Sequence, residues 1–305
     1  MVTNIYDIDT AYGQFRKPTL QSLRDDMLSQ AKVELSVLRL DAIHPVVSGN
    51  KLYKLRYYLQ EARDSGYTTI VTKGGLYSNH LVATAYACKL AGFKSVGIVR
   101  AHPGARLTST MKQCMELGMQ LEFAGREDFR GSYLHRRDQQ IYEIDLGGYG
   151  TPGVKGAAGI YDLIENAEGF THIVCAVGTG TTLAGIATKA NSHQKVIGIS
   201  VMKQNLSLQA EIEAVLGSST ARFAIEHGFD FGGFAKHNQE LLNFMNQVFT
   251  KHLLPTDKVY TAKALYATWQ MIRRGAIAEG SNVIMIHTGG LQGNSSLPKG
   301  SIIFE

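Results

Sequence analysis

Long apolar runs are absent from this 305-residue sequence. No window approaches about 18 consecutive apolar residues, so we expect no membrane-spanning helix. Residues 1–9 lack a basic stretch followed by an apolar one, so we expect no signal peptide. Cysteine is also scarce, and the three residues present lie far apart in apolar stretches, at Cys88, Cys114 and Cys175. This spacing argues against a disulfide or zinc set and predicts buried free thiols in a reducing, cytoplasmic compartment, with no metal.

The sequence also lacks a large net charge, since it has 31 basic and 26 acidic residues and a net charge of +5. The basic pairs at 136–137 and 273–274 are short, have acidic residues nearby and lack interleaved aromatic residues. We therefore expect solvated helix faces and no nucleic-acid surface. The apolar content of 44% and the charged content of 19% are typical of a globular protein with a large buried core.

The order of the secondary-structure patterns predicts the fold. Apolar β-branched runs alternate with longer helical patterns, which is typical of parallel sheets joined by crossover helices. Residues 68–124 form a β-α-β-α-β pattern, with strands expected at 68–72, 95–100 and 119–123 and a glycine-containing loop after the first of them. Further strand patterns at 172–177, 196–201 and 283–286 follow the glycine-rich segment 147–159. We predict an α/β fold with two open, twisted, mostly parallel sheets flanked by helices, and an active site in the cleft between two lobes.

The lobes are expected to be unequal. Residues 1–50 contain too little pattern for a separate domain, so they should complete the sheet of the C-terminal half. This gives a large, discontinuous cofactor domain of residues 1–50 plus 155–305, and a small α/β domain of residues 51–154.

Two lysines fall where cations are disfavoured. Asn50 has the residue type of an N-cap, and apolar residues from Leu52 to Ala62 follow with helical spacing. Lys51 and Lys54 then lie in the first turn, at the positive end of the helix dipole. One interpretation is two exposed lysines in a poor position. The other is that a desolvated lysine with a lowered pKa is a neutral nucleophile, and that its neighbour one turn later holds a phosphate.

A glycine-rich loop joins an apolar strand pattern to a helical one, in the order Gly178, Thr179, Gly180, Thr181 and Thr182. Glycines let a backbone approach a ligand, and N–H groups at a helix start bind phosphate. The loop lacks the Lys-Ser/Thr pair of a Walker A motif, and it lacks the third glycine of the dinucleotide fingerprint. A bare phosphate site fits better than a nucleotide site, with a tight structural turn as the alternative.

The segment from Lys73 to His80 also joins a strand to a helix. Ser78 can be a simple N-cap and Asn79 a turn residue. The competing interpretation is a nest of N–H and hydroxyl groups that captures a carboxylate.

Near the C-terminus, Tyr260 alone is typical of a core aromatic residue. Thr288 follows a strand pattern at 283–286, so we expect it at the carboxyl end of a strand, where α/β sheets present ligands.

The sequence has no His-Glu-x-x-His motif and no Gly-x-Ser-x-Gly motif, which argues against a zinc protease and an α/β-hydrolase.

Together these segments resemble the pyridoxal-phosphate-dependent family of 1-aminocyclopropane-1-carboxylate deaminase and D-cysteine desulfhydrase, which has the tryptophan-synthase-β-like fold. The resemblance covers nearly the whole chain. It is carried, in the family's order, by five blocks at residues 49–55, 74–79, 178–182, 259–263 and 287–290.

The resemblance implies a role for each block. Lys51 binds the cofactor aldehyde covalently and shuttles the substrate α-proton, and Lys54 holds the phosphate with the amides of residues 179–182. Ser78 receives the substrate carboxylate, and Tyr260 lies near the ring and the amino acid. The implied cofactor residues are Lys51, Lys54, Asn79, Gly178, Thr179, Gly180, Thr181, Thr182, Thr261 and Thr288. The implied substrate residues are Ser78, Asn79, His80, Phe234 and Tyr260.

Departures within the resemblance bear on the substrate. A glutamate after the tyrosine and a leucine after the histidine mark the family's cyclopropane deaminases, whereas small hydroxyl residues mark its D-cysteine enzymes; here Thr261 and Thr288 stand there. A threonine hydroxyl can donate to an unprotonated ring nitrogen, and this shallower electron sink suits β-elimination of a thiolate. Phe234 stands where the family has a second tyrosine, and it cannot transfer a proton. His80 replaces a glutamine and can add charge and pH dependence.

These observations predict a pyridoxal-phosphate-dependent lyase of a small amino acid, most like a D-cysteine desulfhydrase that yields sulfide, pyruvate and ammonia. One alternative is a deaminase of 1-aminocyclopropane-1-carboxylate, which yields 2-oxobutyrate and ammonia, or of D-serine-like substrates. Another is a non-catalytic cofactor-binding relative, prompted by Phe234. We expect a homodimer, because relatives with this architecture are usually dimers.

Overall fold

The computed structural model describes residues 15–131 and 140–304. The expectations about residues 1–9 and about the basic pair at 136–137 therefore lie outside the described residues. Ten strands and nine α-helices alternate along the described part. The strands are β1 Leu20–Leu23, β2 Glu34–Arg39, β3 Thr69–Gly75, β4 Lys94–Arg100, β5 Met119–Ala124, β6 Ile141–Ile144, β7 His172–Val177, β8 Lys195–Ser200, β9 Ala224–Glu226 and β10 Asn282–His287.

The α-helices supply the crossovers between strands and cover the sheets. They are α1 Asp26–Ala31, α2 Lys51–Asp64, α3 Asn79–Ala91, α4 Ser109–Glu116, α5 Thr151–Ala158, α6 Thr181–Lys189, α7 Leu208–Leu216, α8 Gln239–His252 and α9 Thr261–Arg273.

The larger sheet has six strands in the order β1-β2-β10-β7-β8-β9. All neighbours run parallel except β1, which pairs antiparallel with β2. Alternate residues of β7 pack into two separate hydrophobic clusters, with Ile173 and Cys175 on one face and Val174 and Ala176 on the other. The sheet is therefore buried on both faces, as a parallel sheet requires. Because β1 and β2 belong to it, the expectation that the N-terminal segment completes this sheet is confirmed.

The smaller sheet has four parallel strands in the order β5-β4-β3-β6. The sequence pattern predicted β3, β4 and β5 and missed β6. This strand has only four residues, and three of them are partly exposed, so it lacks the continuous apolar run of a buried strand. The predicted fold class of two mostly parallel sheets flanked by helices is confirmed.

Three helices connect the two sheets by close backbone contacts. A Cβ added to Gly156 on α5 would lie 2.1 Å from the carbonyl oxygen of Tyr53 on α2, and one added to Gly185 on α6 would lie 2.6 Å from Ala157 Cβ. These glycines let α2, α5 and α6 pack at short range. The predicted domain boundary between residues 154 and 155 falls within α5. The division into a large domain of residues 1–50 plus 155–305 and a small domain of residues 51–154 therefore stays a proposal.

Two further expectations concern membrane helices and thiols. None of the described helices has the length and apolarity needed to cross a membrane. Cys88, Cys114 and Cys175 are buried free thiols, as predicted. Burial raises the pKa of Cys175 to about 12, so this thiol stays protonated at neutral pH.

Candidate active site

The start of α2 carries Lys51 and Lys54 in its first turn, as the sequence predicted. Asn50 occupies the N-cap position, but its side chain does not cap the helix. Its Nδ2 instead donates to Thr182 Oγ1 at 2.6 Å, and its Oδ1 accepts from Lys51 Nζ at 3.2 Å. Asn50 therefore connects the lysine helix to the glycine-rich loop of the larger sheet.

The residue before Asn50 brings the lysine helix against the end of β10. Gly49 has a positive φ of 83°, and an added Cβ would lie 1.9 Å from the carbonyl oxygen of Thr288. The backbone N–H of Asn50 donates to that same carbonyl at 3.2 Å. Only glycine permits this approach, which holds Thr288 beside the lysine helix at the carboxyl end of its strand.

Both lysines are desolvated. Burial lowers the pKa of Lys51 to about 8, against an opposing influence from the negative charge of Asp257. Lys54 is 1% exposed, and its Nζ donates to the carbonyl oxygen of Gly147. Burial and the charge of Lys51 hold the pKa of Lys54 well below its ordinary value. The interpretation of two exposed lysines is therefore wrong, and Lys51 offers an amine that is partly uncharged near neutral pH.

The glycine-rich loop leads into α6, which begins at Thr181. Gly180 has a φ of 80°, and an added Cβ would lie 2.1 Å from Ile212 Cγ1, so the loop accepts only glycine there. The first N–H groups of a helix have no acceptor within the helix, and its dipole favours an anion at this end. Thr179 Oγ1 lies 3.1 Å from Thr181 Oγ1, which adds two hydroxyl groups to this potential anion site.

A turn after β6, which the sequence pattern did not predict, closes the space between Lys54 and the glycine-rich loop. The carbonyl of Gly147 accepts from Lys54, and a Cβ on Gly147 would lie 3.4 Å from Thr179 Cγ2. A Cβ on Gly148 would lie 3.4 Å from Lys54 Cε and 3.6 Å from His80 Cε1. The glycine pair at 147–148 is the one sequence signal for this turn, and it is weak because the preceding strand β6 is short and partly exposed.

The start of α3 lies near the segment that precedes the lysine helix, through Asn79. Ser78 Oγ accepts from the N–H of Leu81 at 3.3 Å, so Ser78 is the N-cap of this helix. Asn79 Nδ2 makes a long bond of 3.4 Å to the carbonyl of Ser48. Asn79 Oδ1 is buried and has no hydrogen-bond partner among the described residues. The amide of Asn79 thus has unused hydrogen-bonding capacity beside the lysine loop.

His80 is 3% exposed and is held in one tautomer. Thr72 Oγ1 donates its proton to the carbonyl of Ile144 at 2.7 Å, so His80 Nε2, 2.9 Å from the same oxygen, must be the donor of that pair. Burial and the charges of Lys51 and Lys54 hold the pKa of His80 well below its ordinary value. His80 is therefore neutral at physiological pH, contrary to the expectation that it adds charge.

The aromatic side of the site consists of Tyr260 and Phe234. A Cβ on Gly178 would lie 3.2 Å from Tyr260 Cε1, so the tyrosine ring lies against the glycine-rich loop. The Phe234 ring meets the Tyr260 ring edge-on, with centroids 5.9 Å apart. Burial and the charge of Asp257 raise the pKa of Tyr260, so its phenol keeps its proton at neutral pH.

Asp257 is a buried residue of the site that the sequence pattern did not indicate. Its carboxylate accepts from the N–H groups of Val259 at 2.8 Å and Tyr260 at 2.9 Å. It also accepts from the N–H of Thr261 at 2.9 Å and the hydroxyl of Thr261 at 2.7 Å. The Thr261 proton is therefore already donated, which does not support its expected bond to a ring nitrogen. An aspartate shortly before a helix start was the available signal.

The family-level comparison agrees with this geometry. The family described as "Pyridoxal-phosphate dependent enzyme" matches residues 15–289, which is most of the chain. The chain belongs to this family. The cofactor of this pyridoxal-phosphate-dependent enzyme is thus pyridoxal 5′-phosphate, as the sequence predicted.

Individual relatives are distant in sequence and match most of this chain. A Thermotoga maritima protein, provisionally named as a 1-aminocyclopropane-1-carboxylate deaminase, is 29% identical over 91% of this chain and 95% of its own. The Arabidopsis thaliana bifunctional D-cysteine desulfhydrase/1-aminocyclopropane-1-carboxylate deaminase is 27% identical over 85% of this chain and 73% of its own. A crystal structure described as an ACC deaminase homologue superposes with a TM-score of 0.79 at 24% identity, covering 96% of this chain and 97% of that one, which shows the fold.

The pyridoxal-phosphate-dependent enzyme has side chains that fit its cofactor. Lys51 supplies an amine with a lowered pKa, and the buried Oδ1 of Asn79 lacks a partner among the described residues. Lys54 and the start of α6 would hold the phosphate, and the Thr288 hydroxyl, at the end of β10, is a better candidate for the ring nitrogen than that of Thr261. The segments that carry these candidates contact one another, and Gly178 and Thr288 directly follow the buried strands β7 and β10.

Proposed function

We propose that this pyridoxal-phosphate-dependent enzyme is a lyase that acts on D-cysteine by β-elimination. The observation that carries the proposal is the neutral, buried hydroxyl of Thr288 directly after β10, since the Thr261 hydroxyl is already donated to Asp257. Asp257, the carboxylate bonded to Thr261, is saturated by four donors and is therefore not free to protonate a ring nitrogen. A neutral partner supports a shallow electron sink, which suffices when the leaving group is a thiolate.

The relatives support the same reaction class. The plant relative is named for both D-cysteine desulfhydration and cyclopropane deamination, and a Klebsiella pneumoniae relative, 22% identical over 84% of this chain, is named D-cysteine desulfhydrase. These names support a small amino acid as the substrate of this chain.

The proposed chemistry divides among the chain's own residues. When bound, pyridoxal phosphate supplies the aldehyde that takes up the amino group and a ring that draws electrons from the α-carbon. Lys51 Nζ, partly uncharged near pH 8, accepts the α-proton. Ser78 and the N–H groups at the start of α3 bind the substrate carboxylate. Tyr260, whose pKa is raised by burial and by the charge of Asp257, keeps its proton and donates a hydrogen bond to the departing sulfur. The α-proton that Lys51 has accepted passes to that sulfur, so that D-cysteine and water give hydrogen sulfide, pyruvate and ammonia.

The test is an assay of products from four substrates. Purified, cofactor-loaded enzyme is incubated with D-cysteine, L-cysteine, D-serine and 1-aminocyclopropane-1-carboxylate, while sulfide, pyruvate and 2-oxobutyrate are followed. Sulfide and pyruvate from D-cysteine in equal amounts are the expected result, and Lys51→Ala should yield neither. Turnover of the cyclopropane substrate alone, with 2-oxobutyrate as the product, would overturn the proposal.

The second candidate function is deamination of 1-aminocyclopropane-1-carboxylate. The apolar ring of Phe234 at the edge of Tyr260 favours it, because a hydrocarbon ring packs well against a phenyl group. The third candidate, a non-catalytic cofactor-binding relative, predicts bound cofactor without turnover of any of the four amino acids.

We also propose a homodimer in the cytoplasm. Three buried free thiols are consistent with a reducing compartment, since such compartments keep thiols unpaired. Light scattering coupled to size-exclusion chromatography tests the dimer, and a monomeric mass across the concentration range would contradict it.

A further inference from the structure

A buried lysine outside the cofactor site anchors the loop that carries Phe234. Lys263 lies on α9 and is fully buried. Its Nζ donates to the carbonyl oxygens of Asp230 at 2.6 Å and Gly233 at 2.8 Å. Burying an amine costs far more free energy than burying a methionine of similar length, unless the amine is paired. A lysine at this position therefore indicates that the two bonds, and not the filling of space, are what the side chain provides.

The anchored loop has an unusual backbone. Phe231, Gly232, Gly233 and Ala235 all have positive φ, at 52°, 94°, 118° and 59°. Two N–H groups of the loop donate to the same carbonyls that Lys263 binds: residue 233 to the Asp230 oxygen at 3.0 Å, and residue 236 to the Gly233 oxygen at 3.1 Å. The loop thus folds around the Lys263 amine. Removing this amine would leave the strained backbone with a single donor on each of the carbonyls of Asp230 and Gly233.

The loop reaches the active site through one ring. Phe234 is 48% exposed, and it contacts Tyr260 edge-on at 5.9 Å between centroids with an interplanar angle of 72°. Tyr260 also lies against Gly178 of the glycine-rich loop. The position of the Lys263-anchored loop therefore decides whether an apolar ring borders the reacting amino acid.

We propose that Lys263 is a positioning residue and Phe234 a specificity-determining residue, which together select a thiol-bearing D-amino acid over its hydroxyl-bearing counterpart. This inference rests on the proposed function. A hydroxyl desolvated against a phenyl ring loses a hydrogen bond to water and gains none. A thiol is a weak donor and behaves as a small apolar group, so it loses little in the same place.

Hydrogen exchange tests the anchor without relying on activity. Lys263→Met is compared with Lys236→Met, which removes an exposed lysine of the same loop, in both apo and cofactor-loaded protein. Exchange of the Gly233 and Lys236 amides should quicken about tenfold in Lys263→Met and stay unchanged at Gly233 in the control. Unchanged exchange of both amides in a folded Lys263→Met protein would overturn the anchor. Should that variant not fold, Lys263→Gln, which is too short to reach both carbonyls, is judged by the same two outcomes.

Steady-state kinetics tests the selectivity. The ratio of kcat/KM for D-cysteine to that for D-serine should fall about tenfold in Phe234→Tyr, which adds a hydroxyl partner, and about as much in Lys263→Met. Lys236→Met should leave the ratio unchanged. An unaltered ratio in both Phe234→Tyr and Lys263→Met would overturn the selectivity assignment. If neither amino acid is turned over by the unmodified enzyme, the proposed function fails, and hydrogen exchange still decides the role of Lys263.

Discussion

Replacing Lys54 with methionine should weaken binding of the cofactor phosphate and leave binding of the cofactor ring nearly intact. Lys54 is 1% exposed, and its Nζ donates to the carbonyl of Gly147, which borders Thr179 of the glycine-rich loop. Burial and the charge of Lys51 hold the pKa of Lys54 well below its ordinary value. A phosphate dianion beside Lys54 has the opposite effect, because a negative charge favours the protonated amine. Methionine keeps most of the side-chain length and removes the charge and the donors.

The size of the effect follows from one charge-assisted hydrogen bond. Such a bond is worth about 1.5–3 kcal/mol. Because about 1.4 kcal/mol corresponds to a factor of ten, the Kd for pyridoxal 5′-phosphate should rise by about 10- to 150-fold. Pyridoxal lacks the phosphate and should bind the variant and the unmodified apoprotein equally well. Absorbance titration of both apoproteins with both vitamers gives the four constants.

A matched control separates this effect from a general loss of charge. Lys89→Met removes an exposed lysine from the last turn of α3 and should change neither Kd. An equal loss of affinity for pyridoxal and for its phosphate would show that Lys54 supports the ring or the fold. A Kd for the phosphate equal to that of the unmodified protein would refute its assignment as the phosphate ligand.

Two further predictions concern the glycine-rich loop and the counter-charge of Lys51. Gly180→Ala combines a φ of 80° with a Cβ 2.1 Å from Ile212, so the free energy of unfolding should fall by about 2–4 kcal/mol. Gly66 has a φ of 74° and no atom near its added Cβ, so Gly66→Ala should lower the free energy of unfolding by only about 1 kcal/mol. Equal losses of unfolding free energy for the two variants in chemical denaturation would contradict the packing argument. Asp257→Asn removes the negative charge that raises the pKa of Lys51, so the pH midpoint of borohydride-trapped pyridoxal at Lys51 should fall below about 8, and a rise would contradict the assignment.

The fold was predictable wherever strands are long and buried. The pattern predicted β7 at its observed bounds, because all six of its residues are buried. It ended β3 too early, because Gly74 and Gly75 suggested a loop, whereas both residues pair with β4. It missed β6 because a four-residue, half-exposed edge strand has no distinctive periodicity.

The site was predictable where a residue conflicts with its local environment. A lysine pair at a positive helix end is unfavourable by itself, so Lys51 and Lys54 stood out from the sequence alone. Asp257 did not, because its four donors are assembled only when the segment before α9 folds. For the same reason the sequence could not reveal that the Thr261 hydroxyl is already donated, or that Thr72 fixes the tautomer of His80.

The central claim is that the amine of Lys51 binds the cofactor covalently, and borohydride reduction tests it most directly. The apoprotein is loaded with pyridoxal 5′-phosphate, reduced and digested, and the modified peptide is identified by mass spectrometry. The reduced adduct should lie on Lys51, should disappear in Lys51→Ala, and should persist at a saturating cofactor concentration in Lys54→Met. An adduct on another lysine, or an unmodified Lys51 in protein that has been saturated with cofactor, would contradict the account.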